Sequence, residues 1–124
     1  MHKMIQTSAI ALALLMPVFA TAALAHAKLL KETPGHDATV PPPTEISLKF
    51  SAGVEAAFSS IEVKDASGAL IKVGPLAAPS DDKTTIAVPL PSPLAAGKYT
   101  VEWRALTGGD GHKIKGSYSF TAAP

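Results

Sequence analysis

The chain has 124 residues, 47% of them hydrophobic, no cysteine and a formal net charge of +1. That length allows one ordinary domain and excludes a two-domain enzyme. The lack of cysteine excludes disulfides, thiolate nucleophiles and thiolate metal ligands.

Residues 1–25 are predicted to be a removable export signal. His2-Lys3 forms a short positive region, Ile5 to about Phe19 is apolar, and Ala23-Leu24-Ala25 is a small-x-small cleavage site. A membrane anchor needs about 20 predominantly apolar residues, and Pro17 with Thr21-Ala22-Ala23 fits that poorly. Cleavage after Ala25 makes His26 the first residue of a mature, exported domain spanning 26–124, with no other segment able to span a bilayer. Lys3 is the only charged residue of the leader, so residues 26–124 hold ten Lys+Arg against ten Asp+Glu. Such a balance argues against nucleic acid or an anionic membrane surface as the partner.

After residue 26, alternation with period two dominates. Ile46, Leu48 and Phe50 alternate with Glu45, Ser47 and Lys49, and Ile61 and Val63 with Ser60, Glu62 and Lys64. Leu70 to Val73 pairs with 60–64 across the turn Asp65-Ala66-Ser67-Gly68, and Thr84 to Val88 is another short strand. Tyr99, Val101 and Trp103 alternate with Thr100, Glu102 and Arg104, and Trp103 reads as a core residue. Ile114, Gly116, Tyr118 and Phe120 share one face of the last run. Pro41-Pro42-Pro43, Gly74-Pro75 and Pro89 to Pro93 end strands and exclude long helices, leaving only Val54 to Phe58 for a helical turn. The fold class is therefore all-β, an antiparallel immunoglobulin-like sandwich of about seven strands.

Chemistry concentrates at two places. As an N-terminal residue, His26 presents an α-amine and an imidazole Nδ1 that can chelate one ion. Thr107-Gly108-Gly109-Asp110-Gly111-His112 is a glycine-rich loop whose carboxylate and imidazole are two residues apart, and in an extended segment these point the same way. Three nitrogens and one oxygen suit tetragonal Cu(II), the most tightly held divalent first-row ion; zinc also accepts such ligands but prefers a tetrahedron. Spacing alone leaves open that Asp-Gly-His is only a turn and that His26 is an accident of where the signal ends. His36, in Pro34-Gly35-His36-Asp37, reads as a solvated loop histidine. Met1, Met4 and Met16 all belong to the leader, so the mature domain has no thioether site for Cu(I).

His26-Ala27-Lys28-Leu29-Leu30 with Thr33-Pro34, Ile46-x-Leu48-x-Phe50-Ser51, and Pro93-Leu94-x-x-Gly97-x-Tyr99-x-Val101-x-Trp103-Arg104 followed by Asp110-Gly111-His112 and Gly116-x-x-x-Phe120 resemble the CopC family of periplasmic copper-binding proteins. The resemblance runs over the whole mature chain. It implies one Cu(II) per chain on the amine and Nδ1 of His26, the carboxylate of Asp110 and the imidazole of His112. It also implies a periplasmic, non-enzymatic copper carrier or buffer in copper resistance or homeostasis, whose membrane partner is a separate inner-membrane copper transporter of the CopD type. Val63 to Val73 lacks the methionines with which some members bind Cu(I). In two respects the chain departs from the family's pattern: Asp110 is seven residues after Trp103 rather than six, and Ala52 follows Phe50-Ser51 where an acid is common. Glu55 is the nearest carboxylate and is not assigned as a ligand. The competing functions are a copper monooxygenase using an N-terminal histidine and a metal-free interaction module. A domain of about 99 residues with one Trp in its core has little surface for a polysaccharide.

Overall fold

The computed structural model describes residues 27–108 and 111–124. Eight strands form along the chain: β1 (Leu29–Thr33), β2 (Thr39–Val40), β3 (Glu45–Phe50), β4 (Ser60–Lys64), β5 (Leu70–Ile71), β6 (Thr85–Pro89), β7 (Gly97–Leu106) and β8 (Lys113–Ala122). They make a three-stranded sheet in the order β1-β3-β6 and a five-stranded sheet in the order β2-β8-β7-β4-β5. Every pairing is antiparallel except β2 with β8, which is parallel. Val54 to Phe58 contains only a single 3-10 turn, Ala56–Phe58. No helix among the described residues is long and apolar enough to cross a membrane.

The alternation in the sequence becomes the two-sided burial of each strand. Ile46, Leu48 and Phe50 of β3, Ile86 and Val88 of β6, Val63 of β4, and Val101, Trp103 and Phe120 of β7 and β8 join one core between the sheets. Phe50 and Trp103 pack in a T-shaped arrangement, with ring centroids 5.1 Å apart at 70°, which locks one sheet onto the other. Contacts of this kind contribute about 0.5–1.5 kcal/mol beyond burial. At the start of β7 the Tyr99 hydroxyl donates to the Ala95 carbonyl at 2.7 Å, the tyrosine-corner arrangement of immunoglobulin-like sandwiches.

The turns follow their side chains. Asp65 Oδ1 accepts from the backbone N–H of Ser67 and Ala69 and from the Ser67 hydroxyl, closing the β4–β5 hairpin. Asp82 Oδ1 does the same for Thr84 ahead of β6. The Ser67 hydroxyl, before the backbone donors, holds the Asp65 carboxyl below its ordinary value, and the Thr84 hydroxyl does so for Asp82. Both groups favour the fold above the ordinary aspartate range and lose that contribution only as pH falls below it. The buried Tyr118 hydroxyl has no hydrogen-bond partner among the described residues, and burial, then the negative charge of Glu32, pushes its ionisation far above the usual phenol range.

Gly116 is required by Trp103. A Cβ at this position would stand 2.6 Å from Trp103 Cζ2 and 2.9 Å from Cε2, and the indole is fixed by Phe50. Gly116→Ala should therefore cost roughly 1–3 kcal/mol through overpacking. Urea unfolding followed by the fluorescence of Trp103 measures it; an unchanged midpoint would mean that the indole has room to move.

Candidate metal centre

The predicted ligands fall unevenly in the structure. His26 and Asp110 lie outside the described residues, and so does the leader, residues 1–26 being outside as a block. His112 is described and exposed. Among the described residues, no three His, Cys, Asp or Glu side chains stand close enough to hold a metal ion. His36 is a loop histidine as expected, its Nε2 3.3 Å from Asp37 Oδ2 with both side chains largely in solvent.

The loop that carries His112 joins β7 to β8, whose register closes at Leu106–Lys113. Thr107 holds its base. Its backbone N–H donates to the His112 carbonyl at 2.9 Å, and its hydroxyl both donates to that carbonyl and accepts from the His112 N–H, each at 3.1 Å. The Thr107 carbonyl accepts from Gly111 N–H at 3.2 Å. Gly111 has φ +70°, a left-handed conformation that glycine adopts without cost. The His112 backbone is thus gripped on both its polar atoms.

The segment Ser51–Glu55 connects this loop to the start of the domain. Lys28 N–H donates to Ser51 Oγ at 2.9 Å, and Ser51 N–H donates back to the Lys28 carbonyl at 2.9 Å. Further along, Gly108 N–H donates to the Gly53 carbonyl at 3.0 Å, Glu55 N–H donates to the Leu106 carbonyl at 2.8 Å, and Val54 bridges Thr107. Ser51 and Gly53 are two residues apart, at most about 7 Å of chain. Lys28, two residues after His26, and Gly108, two before Asp110, are therefore anchored to the same short stretch of backbone. Ala27 is buried there. Glu55 lies along it, its Oε2 2.9 Å from where a Cβ on Gly108 would stand, so that a carboxylate rests against the loop.

Sequence reasoning picks out His112 from its chemistry but assigns nothing to Thr107 or Ser51. Neither offers a metal a preferred donor. Their task is to hold backbone, which leaves no signature in the sequence.

The comparisons with known proteins agree with this architecture. Residues 29–123 match the family model described as the CopC domain. The protein YobA of Escherichia coli K12 is 39% identical over 98 residues, 78% of each chain. The copper resistance protein C of Escherichia coli is 33% identical over 108 residues, 82% of this chain and 85% of that one. Among solved structures, CopC from Methylosinus trichosporium OB3b superposes with a TM-score of 0.73 at 35% identity, covering 80% of this chain and 95% of that one. The chain belongs to the CopC family.

Thr107→Val keeps the shape and removes the hydroxyl that grips His112. It should lower stability by about 1–3 kcal/mol and speed hydrogen exchange at the His112 amide by more than at the Val101 amide in the middle of β7, which follows global stability alone. Unchanged exchange at His112 would show that the hydroxyl does not hold the loop.

Proposed function

We propose that this protein is a periplasmic Cu(II) carrier or buffer in copper resistance, binding one Cu(II) at its mature N-terminus. Cleavage after Ala25 supplies the amine and Nδ1 of His26; Asp110 adds a carboxylate and His112 an imidazole. The observation that carries the reading is the common anchoring of Lys28 and Gly108 on Ser51–Glu55, beside a His112 whose backbone is fixed and whose side chain is exposed. Membership of the CopC family supports it, as do relatives named copper resistance protein C.

The donor set also sets the chemistry. Nitrogen and carboxylate oxygen in a tetragonal arrangement favour Cu(II) over Cu(I), and no thioether occurs after Met16 to stabilise the reduced ion. Four protein donors in the equatorial plane leave a substrate only the weakly bound axial positions of Cu(II), which favours carriage over catalysis. A rim imidazole lets an incoming ligand displace the protein's donors one at a time, and the separate partner that receives copper is a membrane transporter of the CopD type.

His112→Ala should weaken Cu(II) binding by more than about 100-fold, since loss even of a residue that only orients a ligand costs 10–100-fold. Competitive titration against a chromophoric chelator measures it, and wild-type affinity would remove His112 from the site.

Lowering the pH from about 8 to about 5 should release the metal, because amine and imidazole bind it only when deprotonated. The Asp65 and Asp82 carboxyls, held below the ordinary aspartate range by the Ser67 and Thr84 hydroxyls, stay ionised throughout that window. Metal retained at pH 5 by a folded protein would require other ligands.

A further inference from the structure

We propose that the groove between Phe58 and the Arg104–Lys115 pair is a docking site for an acidic segment of a protein partner, one that places an apolar side chain against Phe58. Phe58 is 74% exposed, and the exposure is built in. Its N–H donates to the Glu55 carbonyl at 3.1 Å. The next residue's hydroxyl, Ser59 Oγ, donates to the same carbonyl at 2.8 Å and accepts from Leu106 N–H at 3.1 Å. The turn is thereby clamped to β7 with its phenyl ring facing solvent. Beside it lies a groove of about 420 Å³ lined by Phe58, Arg104, Ala105, Lys113, Ile114 and Lys115.

The charge on this groove is of one sign. Arg104 and Lys115 stand directly opposite each other across β7 and β8, and Lys113 is one step further along the same outer face. Like charges facing each other across strands repel. Among the described residues the ion pairs are His36–Asp37 and Lys64–Glu102, so none of the three cations has a carboxylate within bonding distance. Glu102 sits one row away, and its carboxylate is taken by Lys64 at 3.3 Å. A second facing pair, Lys31–Lys49 on the other sheet, differs in that Lys49 has the Asp82 carboxylate in its field and no exposed aromatic ring beside it.

Three unpaired cations around an apolar floor complement a peptide of acidic residues with one apolar anchor, the arrangement in which an interface combines a desolvated anchor with a charged rim. A concave groove also favours a peptide over a flat anionic bilayer, which needs a broad basic face. Lys113 follows His112 directly, so a segment docked here would lie beside the copper loop. That last placement rests on the copper reading; the docking itself does not.

The test uses the metal-free mature chain, isotopically labelled, titrated with a short acetylated and amidated peptide of Asp-Glu pairs separated by leucine. Saturable amide shifts at Phe58, Arg104, Lys113 and Lys115, with Lys31 and Lys49 unmoved, are expected. Phe58→Ser and Lys115→Glu, both at exposed positions, should each weaken binding about tenfold or more while the rest of the spectrum stays native. A peptide with glycine for leucine should bind more weakly. The proposal is overturned by any of four results: no saturable shift at millimolar peptide; equal shifts at Lys31 and Lys49; binding through these residues only to phosphatidylglycerol-phosphatidylethanolamine vesicles; or self-association of the chain through them. With no metal present, failure here leaves the copper reading intact, and failure of copper binding would leave these shifts unchanged.

Discussion

The backbone of Ser51–Glu55 is hydrogen-bonded on two sides at once, to Lys28 at the start of the domain and to Leu106 and Gly108 at the end of β7. These two partners come from different sheets and are about eighty residues apart in sequence. A metal site shared between the chain's beginning and a late hairpin pays a large loop-closure entropy unless the fold has already brought the two together. The tether does so with backbone groups joined by the Ser51 hydroxyl.

That tether is only as firm as the sandwich beneath it. Phe50, the last residue of β3, forms a T-shaped pair with Trp103 of β7, and the chain leaves this contact directly into Ser51. Trp103 in turn lies over Gly116 of β8. One line of contacts thus runs from the first sheet through the core to the hairpin that bears His112. Thr107 completes it at the surface, where a buried hydroxyl converts the rigidity of β7 into a fixed His112 backbone. What remains exposed at this end is the imidazole and, beyond Lys113, the Phe58 groove. Both are the kinds of group that meet other molecules, and both are held by hydrogen bonds rather than by burial of their own.

Much of the fold was legible because it is written in alternation. The runs at 46–50, 60–64, 99–104 and 114–120 each became strands with the expected inward face, and Asp65 closed its hairpin through its own side chain. β1 escaped notice because its register shifts between Leu29 and Lys31, leaving Leu30 56% exposed and the period broken. β2 could not be read at all: two residues, Thr39 and Val40, join β8 in parallel, and a pairing so short and so distant leaves no local pattern. The reading of 70–73 as a strand contracted to Leu70–Ile71, and 84–88 moved by one residue to Thr85–Pro89. At the candidate site, the glycine-rich loop stands out in the sequence because carboxylate and imidazole are chemically conspicuous, although Asp110 itself lies outside the described residues. The roles of Thr107 and Ser51 were not legible, because a hydroxyl that binds backbone has no sequence signature until the partner's position is known. Phe58 was hidden for a related reason: an aromatic residue in a short apolar run reads as core, and only the 3-10 turn reverses it.

The central claim is that the free N-terminus is part of the copper site. The most direct measurement is a competitive Cu(II) titration with EPR on the mature chain beginning at His26, its N-terminus verified by intact mass, beside a chain with one additional residue before His26. The account predicts one tightly bound Cu(II) with a tetragonal nitrogen-rich spectrum in the first, and much weaker binding with an altered spectrum in the second. Equal affinity and identical spectra for the two would contradict it.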